Sequence, residues 1–207
     1  RSAVTGHLVP MTLSNGNWRD PRTTDRILDE YLAAAARTGD RAAWERLVAR
    51  WQPRLFRHAW RLTGHAELAR DMVQEAWVEM VRGLSRLDDV AAFPAWAYRI
   101  VTRRCQRAFR RADKERRGAA EFMEGASEFA PDAASGEHAA ELANVLAVMR
   151  ELPTPQRVAL ALFYLDNLGV AEIAVALDVP PGTVKTRLMH ARNKIRARLE
   201  GETHGQD

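Results

Sequence analysis

This sequence predicts an all-α fold of two small helical domains joined by a flexible acidic linker, and three observations carry the prediction. Apolar residues recur at three- and four-residue spacing in one segment after another, with no strict alternation to mark a strand. Basic residues form one block from Arg99 to Arg117 and a second near the C-terminal end. Between them, Gly118 to Glu141 carries acidic residues but no lysine or arginine. Val170 to Leu199 reads as two short helices around a Pro180-Pro181-Gly182 break, the second of them basic, which is a helix-turn-helix pattern.

The boundaries that follow are a tail over 1–24, a first domain over 25–112, a linker over 113–138, a second domain over 139–200 and a tail over 201–207. A chain of 207 residues has apolar content enough for a real core, and its net charge of +4 is modest. The separation of charge is more informative: two basic bodies on an acidic tether suit a polyanionic partner. Cys105 is the single cysteine, so no internal disulfide forms, and a reducing compartment is expected. No apolar run is long enough to span a bilayer. A soluble, cytoplasmic protein without membrane insertion is expected.

In chain order, the first segment is rich in Gly, Asn, Pro, Thr and Arg and lacks periodicity. Asp25 to Arg37 is a short helix carrying Ile27, Leu28, Tyr31 and Leu32, ended by Gly39, and Asp40 caps the next. Trp44, Leu47, Val48 and Trp51 give that helix its buried face. Pro53 is expected to open another, with Leu55, Phe56, Ala59, Trp60 and Leu62 inside and Gly64 at its end. From Ala66 to Arg82 a stripe of Leu68, Ala69, Met72, Val73, Ala76, Trp77, Met80 and Val81 should face a bundle core. Opposite it lie Arg70, Asp71, Gln74, Glu75 and Val78. Plain solvated surface is the commoner reading of such a face; a partner-binding surface is the alternative, to which the outward Val78 adds a little weight.

Leu84 to Ala92 reads as a loop with Asp88 and Asp89 as caps. Phe93 to Arg111 follows as a helix with Trp96, Ala97, Ile100, Val101 and Ala108 inward. Arg99, Arg103, Gln106 and Arg110 share another face. Phe93, Trp96 and Tyr98 interleave with these arginines, a composition used on single-stranded nucleic acid. Core burial explains Phe93 and Trp96 equally well. After the linker, Leu142, Val145, Leu146, Met149 and Leu152 form one stripe, and Gln156 to Leu165 a compact apolar helix.

In the last helix Val184, Leu188, Ala191, Ile195 and Leu199 point one way, leaving Thr186, Met189, His190 and Asn193 opposite. Lys185, Arg187, Arg192 and Lys194 flank that strip, and Thr183 supports the first turn. A narrow polar strip between cations suits base edges flanked by phosphates. An ordinary amphipathic surface helix has the same periodicity, but the preceding helix and turn favour DNA.

Three motifs in this order carry a resemblance. DMVQEAW, Asp71 to Trp77, resembles the D-x-V-Q-E-x-F/W core-binding motif of bacterial sigma factors. FPAWAYRIVTRR, Phe93 to Arg104, is similar to the F-x-x-W-L-Y-R-I-A-x-N stretch that follows it in that family. The segment from Leu152 to Leu199 resembles the family's promoter-binding domain. With no room for a middle domain, the layout resembles the extracytoplasmic-function group, a region 2 helical bundle followed by a region 4 helix-turn-helix. The resemblance implies that Asp71, Gln74 and Glu75, with Val78 beside them, dock on the clamp helices of core RNA polymerase. It implies that the loop from Arg86 to Ala92, with Trp96, Tyr98, Arg99 and Arg103, engages and helps open the downstream promoter element. Lys185, Thr186, Arg187, Met189 and His190 would read the upstream element, beside the Thr183 and Lys194 contacts, and the linker would lie in the path of nascent RNA. Arg103 stands where the family often has Asn, and His190 where it often has Arg.

No catalytic pattern competes. Asp71 and Glu75 are spaced i, i+4 but no His or Cys completes a metal set, and no phosphate-cradling glycine loop is present. The expectation is a non-enzymatic factor needing no cofactor or metal. Two other readings fit parts of the sequence: a sigma-like decoy that binds an anti-sigma factor, and a stand-alone helix-turn-helix regulator. The decoy would not need both basic helices, and the regulator leaves the first domain unexplained. The partners expected are core polymerase, promoter DNA and an anti-sigma factor. The tether also predicts that the two domains move independently in the free chain, exposing both binding faces.

Overall fold

A computed structural model describes the backbone of residues 21–118, 149 and 151–203, and the side chains of 24–112, 149 and 151–198. Within them are seven α-helices and two single turns of 310 helix, and no strand. The first body comprises α1 (Pro21–Arg37), α2 (Arg41–Thr63), α3 (Ala66–Gly83) and α4 (Phe93–Gly118). The second comprises α5 (Thr154–Tyr164), α6 (Val170–Leu177) and α7 (Pro181–Thr203).

α1 begins inside the expected tail because Pro21 is suited to a first helical position, where no N–H is needed. Asp40 caps α2 as expected, its carboxylate accepting the Ala43 N–H at 3.0 Å. Pro53 does not open a new helix. α2 runs through it, because Leu47, Trp51, Leu55, His58 and Ala59 form one buried stripe that spans the proline. Packing outweighs the lost backbone bond. Gly64 ends the helix with φ 74°, a conformation glycine adopts at no steric cost. α4 continues past the expected Arg111 for seven more residues, to Gly118, the last residue described there. The linker beyond Gly118 and the helix expected from Ala139 lie outside the described residues, apart from Met149.

Trp51 organises the first core. Its indole meets Phe93 edge-on at 5.3 Å and Tyr98 at 5.6 Å between ring centroids. Its Nε1 donates to the buried Asp29 carboxylate at 3.1 Å, which also receives Arg50 Nε at 2.5 Å and Arg54 Nη1 at 3.4 Å. One acid thus fastens α1 to α2, and Arg50 and Arg54 also reach a second acid, Asp25. In α3 the buried residues are Ala69, Met72, Val73, Ala76 and Met80; Val81, expected inward, is 58% exposed.

The two bodies are packed together rather than apart. α4 lies along α6, and α2 meets α5. The buried apolar residues of both bodies form one continuous cluster.

Candidate functional site

On α3, Asp71, Gln74, Glu75 and Val78 are all exposed and share a face by their i, i+3, i+4, i+7 spacing. Val78 is 50% exposed, and Val81 extends the same apolar ridge one turn further. Sequence period missed Val81 because it sits at the edge of the buried stripe. Glu75 accepts from Arg104 Nη1 at 3.0 Å, and the same guanidinium donates from Nε to Glu79 at 2.9 Å. Arg104, on α4, therefore holds the Glu75 carboxylate of the face together with Glu79 beside it.

The four expected downstream-element residues divide. Trp96 is half-buried and lines a hollow of about 520 Å³ with Gly83, Arg86, Asp89 and Ile100. Gly83 is what admits it: a Cβ there would lie 2.9 Å from Cζ2 of the Trp96 indole. Asp89 shapes the loop by accepting the Ala91 N–H at 2.9 Å. Tyr98 is different. Its side chain is fully buried, 4.9 Å from the His58 ring and 5.6 Å from Trp51, so it is not presented to a strand in this arrangement. Burial raises its phenol well above the usual value, reinforced by the nearby Asp166 carboxylate of the second body.

Arg99 and Arg103 are both engaged by one carboxylate. Arg99 Nη2 reaches Asp178 Oδ1 at 2.9 Å and Arg103 Nη2 reaches Oδ2 at 3.4 Å. Desolvation works to raise the Asp178 pKa, but the two guanidiniums together outweigh it and hold it below the usual range. Asp178 closes α6 in the left-handed conformation, φ 56°, which Asp tolerates better than most residues.

In the second body, α6 and α7 form the helix-turn-helix. Glu172 accepts the Gly169 N–H at 2.6 Å and fixes the first turn of α6. Val184, Leu188 and Ala191 of α7 are buried, while Lys185, Thr186, Met189, His190 and Asn193 are exposed. Arg187 and Thr183 are half-buried at its margin. The Thr186 hydroxyl donates back to the Gly182 carbonyl at 3.0 Å while the side chain stays exposed. One shoulder has a second task. Lys194 Nζ donates to the Glu151 carbonyl at 3.1 Å, and Arg192 Nε donates to Tyr164 Oη at 3.0 Å with its guanidinium over the Phe163 ring. These cations brace α7 against the body beneath it.

Among the described residues no group of three His, Cys, Asp or Glu is placed to hold a metal, and no helix is long and apolar enough to cross a membrane.

Comparison with known proteins matches this arrangement. Residues 47–115 match the model of Sigma-70 region 2, and residues 142–195 match that of Sigma-70, region 4. The RNA polymerase sigma-H factor of Pseudomonas aeruginosa is 31% identical over 182 residues, covering 83% of this chain and 94% of that protein. The ECF RNA polymerase sigma factor SigW of Bacillus subtilis is 29% identical, covering 78% of this chain and 91% of its own. Among solved structures, the sigma factor RpoE of Bartonella quintana, in complex with the anti-sigma factor NepR, superposes with a TM-score of 0.62 at 19% identity. It covers 76% of this chain and 96% of that one, and supports the fold.

Proposed function

The chain belongs to the extracytoplasmic-function sigma factors of bacterial RNA polymerase, and we propose that it divides the work of initiation between the surfaces described above. As a sigma factor it binds core polymerase and directs transcription to particular promoters. Asp71, Gln74, Glu75 and Val78 are the proposed core-binding face, with Val81 and Arg104 added to it. The observation that carries this is their joint exposure on the side of α3 away from the buried stripe.

Lys185, Thr186, Met189 and His190 are the proposed readers of the upstream element, with Thr183 and Arg187 at the margin. Exposed side chains on a recognition helix reach base edges, whereas flanking cations set register on phosphates. Lys194 reaches phosphate only by giving up its bond to the Glu151 carbonyl. The loop from Arg86 to Ala92, the hollow beside Trp96, and Arg99 and Arg103 are the proposed downstream-element site. Tyr98 contributes from beneath, by holding the helix that carries the arginines.

The factor turns over no substrate of its own and works in the cytoplasm, where polymerase is. An anti-sigma partner is expected to cover the α3 ridge of Val78 and Val81. The decoy and stand-alone regulator readings each leave one of these exposed faces without a use. Run-off transcription with purified core polymerase on a library of promoter fragments is the test. Specific transcripts that depend on the added chain are expected, and none from any fragment would refute the assignment.

A further inference from the structure

The chain between α3 and α4 is anchored at its ends by two single turns. Leu87 N–H donates to the Leu84 carbonyl and Ala92 N–H to the Asp89 carbonyl, each at 3.1 Å. Between those turns the carbonyls of Leu87 and Asp88 both accept from one side chain. Arg37 Nη1 lies 3.0 Å from the first and 3.3 Å from the second, although Arg37 and Leu87 are 50 residues apart in sequence.

Arg37 stands in the last turn of α1. A basic residue there ordinarily serves the open carbonyls of its own helix. Here other groups do that work. The Thr38 hydroxyl donates to the Ala35 carbonyl at 2.8 Å, and Gly39 N–H, at φ 96°, donates to the Ala36 carbonyl at 3.1 Å. Arg37 is left to reach outward, and it reaches backbone of another segment. That segment separates two hollows. One is the hollow of about 520 Å³ lined by Arg86, Asp89 and Trp96. The other, about 230 Å³, is lined by Arg37, Trp44, Val81 and Ser85. A wall between two hollows has little packing to hold it, and the guanidinium is the strut on its α1 side.

We propose that Arg37 is a positioning residue for promoter opening, its two bonds holding the backbone at Leu87 and Asp88 so that the hollow beside Trp96 keeps the shape the downstream element meets. The proposal rests on the reading of that loop and hollow as the downstream-element site. Bonds from a guanidinium are stronger than those between neutral groups, and one donor shared by adjacent carbonyls restrains two peptide planes together. Arg37 lines the smaller hollow and not the larger, so it acts on DNA through the shape of the loop and not by contact. Without it the loop samples more shapes, and binding falls with the fraction that is competent.

The test uses the full chain with purified core polymerase. Arg37→Ala suits it, because the side chain is exposed and alanine is the strongest helix former, so α1 is kept. Backbone amides of Arg86 to Ala92 should exchange with deuterium faster than in the native chain, with those of α2 and α3 unchanged. Holoenzyme carrying the variant should open promoters about tenfold more slowly, read by permanganate reactivity of unpaired thymines, with core affinity unchanged. In a promoter library its base preference should flatten at the downstream element and persist at the upstream one. Arg37→Lys, which keeps one charged donor, should recover part of each effect. A merely destabilised chain would lower output from every promoter alike and leave both preferences intact, and that result overturns the proposal. Unchanged exchange in the loop overturns it too, as does faster exchange with native opening and preference. Arg86→Ala/Asp88→Ala tests the underlying reading separately. If those loop changes leave the downstream preference intact, the loop is not the downstream-element site and the proposal falls with that reading. If they shift it while Arg37→Ala does not, the positioning role alone is refuted.

Discussion

His58 is buried without a charge partner, its Nε2 sharing a hydrogen bond of 2.8 Å with the Thr102 hydroxyl. Burial, with a smaller push from Arg61, lowers its pKa to about 3, so the folded chain holds it neutral. The unfolded chain binds that proton near the ordinary value of 6.5. Between those values the unfolded state carries more protons, so stability is complete above the upper one and declines as pH falls through the window. The decline from this group approaches about 1.4 kcal/mol per pH unit at its steepest. Urea unfolding at pH 7 and pH 5 should show it, and His58→Gln should flatten the difference. Cys105 gives a second check at this scale. Burial pushes its thiol up to about 12, so iodoacetamide should leave the native protein unmodified and label it only after unfolding. Individual residues were the least legible part of the site. Helical period placed Trp96 inward, while the family resemblance put both Trp96 and Tyr98 among the DNA contacts; the structure makes Trp96 a half-buried wall and Tyr98 a core residue. The period of one helix cannot register a second body lying across it.

Elements were legible where a stripe and its punctuation agreed. α3, α6 and α7 follow their apolar spacing, and Asp40 and Gly64 cap α2 as their residue types require. Pro53 misled because a proline reads as a boundary, whereas the stripe from Leu47 to Ala59 holds α2 together across it. The outward face of α3 yields a prediction at this scale. Asp71→Lys/Glu75→Lys should abolish co-purification with core polymerase while shifting stability by less than about 1 kcal/mol, since both positions are exposed and Arg104 keeps Glu79. On α7 the expectations separate by position. Substituting Thr186 or His190 should change base preference in a promoter library, as exposed groups facing the groove do. Lys194→Ala should act differently from an ordinary phosphate contact, costing some stability through the lost bond to Glu151 as well as lowering affinity on every sequence. A thermal melt beside the binding isotherm distinguishes the two effects.

At the scale of the whole molecule the contact between the bodies joins unlike interactions, and they should fail in a definite order. Asp166, Glu172 and Asp178 lie in the α5–α6 turn, within α6 and at its end, six residues apart each time. No single periodicity links them, so their convergence on Arg61, Arg26, Arg99 and Arg103 was not readable before the bodies were seen together. The pairs at Asp178 and Glu172 are part-exposed, whereas the Arg61 and Asp166 side chains are 13% and 5% exposed. Raising salt from 0.1 M to 1 M shortens the screening length from about 10 Å to about 3 Å, which weakens exposed pairs far more than buried ones. The radius of gyration of the native chain should therefore rise only modestly across that range. Asp166→Ala should act otherwise: it leaves the Arg61 guanidinium enclosed without its acid, a loss of about 3 kcal/mol where both partners are fully buried. That variant should be expanded already at 0.1 M salt, and Glu172→Ala should need high salt to match it. Scattering curves of the two variants across the salt series decide the order. If Glu172→Ala opens first, the contact is held by its exposed rim rather than by the buried pair.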